Sequence, residues 1–216
     1  MVHRITLLMV NVVALILLGA TVNMGIALAE VNEPGFKLVS QDGDVEIRDY
    51  APTLVAEMSF AGDRDGAVRA GFDLMSGYIS GDNETNQKIA MTAPITQIRS
   101  GALTASLPGG ETSVTNDAAE WKVRFMMPTG FTLSTLPKPG DRRIDIIALP
   151  ARRAAVLRFN GLWTDSNFAT HRDQLSAWLR TKGLKPVGEP AYAYYDPPWQ
   201  PFFWRRNEII WDISLK

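Results

Sequence analysis

The sequence predicts an α+β fold: two repeated halves forming a pseudo-twofold, distorted antiparallel β-barrel with two flanking helices. Three observations carry this. The segment VEIRDYAPTLVAEMSFAG, residues 45–62, overlies IDIIALPARRAAVLRFNG, residues 144–161, without a gap. Each copy is followed by one stretch whose apolar residues recur at helical spacing. Each of those stretches leads into short segments with period-two alternation, the pattern of a strand with one buried face.

In the repeat, Val45 meets Ile144, Ile47 meets Ile146, Ala56 meets Ala155, Met58 meets Leu157, Phe60 meets Phe159 and Gly62 meets Gly161. Inward positions match while outward ones drift, as expected of two copies of a β-hairpin held by one face. After the first copy, Val68, Phe72, Met75 and Ile79 predict a buried helical stripe. After the second, Asp165 or Ser166 is the expected N-cap, and Phe168, His171, Leu175, Trp178 and Leu179 line one face up to a stop at Gly183. The expected strands are KIAMTAPI (88–95), a weaker ALTASL (102–107) and WKVRFMMP (121–128) in the first half. In the second they are PAYAYY (190–195) and NEIIWDI (207–213). Met91 alternates in phase with Ile89 and Ile95 and is expected to face inward. The halves, about 36–136 and 142–213, meet at the Pro- and Gly-rich turn LPKPGD. A lone half is short of core, so the two must pack together, and a cleft at their axis is the natural place for a small molecule.

The 216 residues suffice for one sizeable domain. A net charge of −1 gives no basic field to attract nucleic acid. The absence of cysteine excludes disulfides, thiolate metal sites and cysteine nucleophiles. Residues 1–29 are a separate object: a short basic start, a long apolar run, then Ala27-Leu28-Ala29. This is the layout of a secretory signal peptide cleaved before Glu30, or of an uncleaved membrane anchor. Either places residues 30–216 outside the cytoplasm, periplasmic or held on the inner membrane and facing the periplasm. Membrane contact is expected only through the N-terminal segment, if uncleaved.

Chemistry is sparse. His171 is the only histidine outside the N-terminal segment, the acids are scattered singly, and no phosphate loop or metal-ligand spacing appears. The chain therefore reads as a binding protein, not an enzyme. His171 stands either as a half-buried histidine at the edge of its stripe or as an axial ligand to a haem iron. The run AYAYYDPPWQPFFW is expected to form an irregular loop over something apolar, either the domain's own core or one wall of a pocket for a flat ring.

The stretch GDNETNQKIAMTAPI, residues 81–95, closely resembles the signature of the SOUL haem-binding family. Tyr78, Ile79, Gly81, Asn83, Lys88, Ile89, Ala90, Met91, Thr92 and Pro94 fall in place. VEIRDYAPTLVAE, VRFMMPTGFTLSTLPKPGD and PPWQPFFWRRNEIIWDI extend the resemblance over residues 36–213. It implies a SOUL-like domain that binds haem, another tetrapyrrole or a similar flat hydrophobic molecule without turnover, as carrier, buffer or sensor. The implied site is an apolar groove beside the first helix, with Arg69, Phe72, Met75 and Tyr78 as cofactor-binding residues and Arg69 meeting a propionate. The family's iron-ligating histidine has no counterpart in the first half, which leaves the metal ligand unknown. The fold also resembles the related two-repeat effector-binding superfamily, some of whose members are hydrolases. A buried, unpaired acid in the cleft would favour that alternative.

Overall fold

The computed structural model describes residues 33–100, 120–197 and 199–214. The strand expected at 102–107 and the N-terminal segment lie outside the described residues. The elements are β1 (Phe36–Asp42), β2 (Val45–Tyr50), β3 (Thr53–Ala61), α1 (Arg64–Ser80), β4 (Ile95–Ser100), β5 (Glu120–Met126), β6 (Asp145–Leu149), β7 (Arg152–Asn160), α2 (Asp165–Thr181), β8 (Ala191–Tyr194), a short 3₁₀ turn (Phe202–Trp204) and β9 (Arg206–Asp212). The strands form one antiparallel sheet in the order β1-β2-β7-β9-β8-β4-β5-β3-β6, curled into a half-barrel.

This order corrects the expected hairpins. β2 does not pair with β3; it pairs with β7 of the other half, Val45 opposite Leu157 through Tyr50 opposite Arg152. β3 pairs in turn with β6, Thr53 opposite Leu149 through Glu57 opposite Asp145. The two copies exchange strands across the pseudo-twofold, whose axis falls at the β4–β8 pair. Alternation predicts which face a residue takes and is silent on its partner strand.

Both helices lie on one face of the sheet. Phe125, in the cluster that packs under α1, pairs with Ile95, which pairs with Tyr194, in the cluster under α2. The repeat positions Val45, Ile47, Ala56, Met58, Ala155, Leu157 and Phe159 all point to that face. The opposite face carries a smaller apolar cluster of Tyr50, Ala154, Val156, Ala193 and Ile210.

Helix α1 is capped by Asp63, whose carboxylate accepts from Gly66 N at 2.7 Å. Helix α2 is capped by Thr164, one residue before the expected Asp165, its hydroxyl accepting from Asn167 N at 3.3 Å. The buried residues of α1 are Arg64, Ala67, Gly71, Met75 and Tyr78. The stripe is therefore turned by about one residue from the expected Val68, Phe72, Met75 and Ile79, which roughly equals 100° of helix. Small residues cause the turn: a Cβ on Gly71 would sit 2.8 Å from Val123 Cγ1, so α1 rests close on β5 only through Ala67 and Gly71. The turn carries Phe72 to the outside.

The expected strand 88–95 is corrected too. Only Ile95 joins the ladder, and Gln87–Met91 has no regular structure. Asn83 takes the backbone bonds of this segment instead. Its Nδ2 donates to Tyr78 O and Gln87 O at 3.1 and 2.8 Å, and its Oδ1 accepts from Thr85 N and Gln87 N. Ile89 is buried, and Thr92 donates to Met126 O at 2.5 Å. Met91 is exposed, contrary to its predicted inward position, because strand periodicity does not apply where the backbone is not extended in a sheet. Asn83, Ile89 and Thr92 of the signature hold a loop.

Candidate functional site

Two surfaces offer themselves. The first is the helix-free face, where a cavity of about 290 Å³ opens at the pseudo-twofold axis. Val55, Thr96, Ile98, Met126, Ala191 and Ile210 are among the residues that line it. Strand alternation brings them together: each is one residue out of phase with a neighbour under a helix.

Ion networks flank this apolar floor. Arg48 on β2 donates from both terminal nitrogens to Glu208 on β9, at 2.9 and 3.0 Å. Glu208 also accepts from Arg206 at 2.9 Å and from the Tyr195 hydroxyl at 2.7 Å. Glu208 is 0% exposed. Burial would raise its pKa, but the bonds and charges of Arg48 and Arg206 outweigh that and hold the carboxyl below its ordinary range. Burial and the adjacent Glu208 charge push the Tyr195 phenol well up. Glu57 accepts from Lys122 at 2.8 Å and Arg124 at 2.5 Å, and its pKa is lowered by these partners against the opposing effect of burial. Arg152 donates to Asp212 at 2.5 Å and lies over the Tyr50 ring. The buried acids here are ionised and partnered. That arrangement suits a rigid cavity and leaves Glu208 no free lone pair or proton for acid–base work.

The second surface is the outer side of α1. The Arg69 side chain is 78% exposed, and its Nε donates to Asp65 O at 3.3 Å. Phe72 is 39% exposed, one turn further along. Met75 and Tyr78 lie on the other side of the helix, buried in the core under α1. The Tyr78 hydroxyl donates to Pro137 O at 2.6 Å, and burial pushes its pKa up to about 12. The four expected site residues thus divide: Arg69 and Phe72 share the surface, and Met75 and Tyr78 support them from behind. Met75 and Tyr78 present no head group to a ligand on that surface.

His171 stands apart from both. Its ring stacks on Phe159 at 3.8 Å between centroids, and its Nδ1 lies 2.7 Å from Asn167 O. This matches the half-buried reading of a histidine at its stripe's edge. Among the described residues no group of three or more His, Asp or Glu is placed to hold a metal ion.

Sequence reasoning missed Arg48 and Glu208, and also Arg64. The Arg64 guanidinium, buried at the start of α1, donates to Asp165 Oδ1 at 2.6 Å, Trp163 O at 2.5 Å and the Tyr194 hydroxyl. It stitches the first helix to the second half. Charged residues at these positions carry no sequence sign of burial, since the ion pairs Arg64–Asp165 and Arg48–Glu208 join residues 101 and 160 apart.

The fold defines a class: two-repeat α+β domains with both helices on one face of a curled antiparallel sheet. Solved structures share the architecture. The C-terminal domain of EcmrR matches 80% of this chain and 98% of its own with a TM-score of 0.57 at 12% identity. A hydrolase from Listeria innocua matches 82% of this chain and 94% of its own with a TM-score of 0.53, also at 12% identity. At such identities the likeness is one of fold alone. The sequence is more specific. Residues 31–212 match the SOUL heme-binding proteins, and the chain belongs to that family. It is 40% identical to heme-binding protein 2 of Mus musculus over 177 residues, 81% of this chain and 80% of that protein.

Proposed function

We propose that this chain binds haem or a related tetrapyrrole reversibly and without turnover, as a carrier, buffer or sensor, against the outer side of α1. The observation that carries the placement is the outward turn of Phe72 beside Arg69. A flat apolar ring and a solvent-facing guanidinium are what a macrocycle edge and a propionate require. Family membership supports the ligand class. The residues fit the periphery of the group and offer no axial ligand on that surface: Met75 and Tyr78 are turned inward and His171 is on α2. When bound, a haem supplies only its own redox and ligand chemistry. This chain's residues supply contact area and charge.

Hemin titration followed by Soret absorbance tests this. The double variant Arg69→Ala/Phe72→Ala is expected to weaken binding by about tenfold or more, the scale of one lost charged hydrogen bond. His171→Ala is expected to leave the spectrum unchanged. Loss of the Soret shift in His171→Ala alone overturns the placement.

A second reading, small-molecule effector binding in the cleft, is favoured by one observation, the cavity of about 290 Å³. That is near the lower end of the range of about 300–1,000 Å³ for ligand pockets. Filling it with Ile98→Trp separates the two readings, since hemin binding beside α1 survives that change. The acids that line the cavity are Asp212, paired with Arg152, and the exposed Glu189; neither is the buried, unpaired acid that would favour a hydrolase.

We also propose export, supported by the basic start, the apolar run and Ala27-Leu28-Ala29. Mass measurement on chain from the native host is expected to find either a start at Glu30 or the full length in the membrane fraction. Full-length chain free in the cytoplasm overturns it.

A further inference from the structure

The aromatic run, expected either to cover the core or to wall a pocket, divides: Tyr192 and Tyr194 are buried in the core under α2, while the rings between β8 and β9 are exposed. Trp199 is 82% exposed and Trp204 68%, with Phe202 and Phe203 both exposed between them. Phe203 meets Phe202 and Trp204 edge-on at 5.4 and 5.0 Å. The loop that carries them is built, not loose. Asp196 accepts from Arg206 N at 2.5 Å and from Gln200 Nε2 at 3.1 Å. Arg205 Nε donates to Gln200 O at 2.7 Å, and Asn160 Nδ2 to Phe203 O at 3.2 Å. Residues 197–204, PPWQPFFW, contain no charged side chain. Four large rings held in water by a braced, uncharged loop mark an interaction surface.

A second observation says what that surface meets. Both Glu33 carboxylate oxygens accept from Arg206 Nη1 at 3.0 Å, so the chain enters this domain at the foot of the aromatic loop. The apolar run of the sequence ends at Ala29, four residues earlier, and four extended residues reach about 14 Å at most. Whatever bilayer receives that run therefore lies within reach of the foot of the loop. Tryptophan and phenylalanine on a stretch with no charged side chain of its own suit the membrane–water interface, where a ring buries its body and keeps any polar edge wet.

We propose that the β8–β9 loop is an interfacial membrane anchor, with Trp199, Phe202, Phe203 and Trp204 seated among phospholipid headgroups. It stands independently of the tetrapyrrole reading and is tested without haem present.

The full-length chain is reconstituted in phosphatidylcholine vesicles, half of them prepared with brominated lipid, and tryptophan fluorescence is read. Quenching by brominated lipid is expected in the wild type and is expected to fall by more than half in Trp199→Ser/Trp204→Ser. The variant Phe202→Ser/Phe203→Ser keeps both reporters and is expected to lose most of the same quenching. Near-UV circular dichroism checks that both variants stay folded. Equal quenching in wild type and the tryptophan variant overturns the proposal. So does shielding of the rings from aqueous iodide that grows with protein concentration without lipid, which marks a second copy as the partner. Shielding that needs added hemin and not lipid overturns it as well, making the loop a ligand wall.

Discussion

Glu208→Ala is expected to cost about 3–5 kcal/mol of folding stability, because it strips the carboxylate from both terminal nitrogens of the buried Arg48 and leaves it only Glu46, on Nε, as an acid partner. Arg206 loses the same partner but keeps Glu33. Urea unfolding measures the loss, and a change below about 1 kcal/mol sinks the idea that Arg48 depends on this acid. The pair Arg48→Met/Glu208→Leu is expected to recover much of it, since apolar residues of similar volume replace a buried ion pair at little cost. The sign with pH follows. Glu208 titrates below its ordinary 4.5 when folded, so its contribution is intact above that value and is lost as pH falls through the lower folded pKa. The acid limb of stability in the apolar double variant is therefore expected to be flatter than in the wild type.

Phe168→Ala is expected to cost about 3–5 kcal/mol, the range for deleting a fully buried aromatic. Phe168 is the hub under α2. Its ring meets Phe159, Tyr192 and Tyr194 at 5.2, 5.4 and 5.3 Å, and the Arg64 guanidinium stands 4.7 Å from it. Shrinking it opens a cavity and also removes the aromatic face under a buried cation. The midpoint of urea unfolding reports the loss; Phe168→Leu, which keeps most of the volume, is expected to retain the larger part. Similar midpoints for alanine and leucine would mean that the site collapses to fill itself, against the rigid packing described.

The repeat was legible in the sequence because its core positions face one way: Ile47 and Ile146, or Phe60 and Phe159, keep their apolar character under one sheet face. The helix under each half was legible for the same reason. What stayed hidden were relations between distant residues. Nothing in VEIRDY indicates β7 as its partner in preference to the adjacent β3. Nothing in NEIIWDI shows that Glu208 is enclosed while Asp212 stays partly open. Met91 misled because alternation is persuasive even where Asn83 has drawn the backbone out of the sheet. Phe72 misled in the opposite direction. A stripe read from large apolar residues overlooks Ala67 and Gly71, whose smallness decides which side of α1 meets β5.

The strand exchange makes the chain dependent on its own order of synthesis. Up to Gly140 a nascent chain holds two unconnected sheet fragments, β1–β2 and β3–β5–β4, because the strands that lie between them in the sheet, β7, β9 and β8, all come later. The second half alone has the converse gap: β6 has no neighbour but β3, which lies in the first half. The halves are thus repeated in sequence and yet are not modules. Each is completed by a strand spelled about a hundred residues away, so their closure is late, non-local and joint. Duplication here produced one indivisible folding unit.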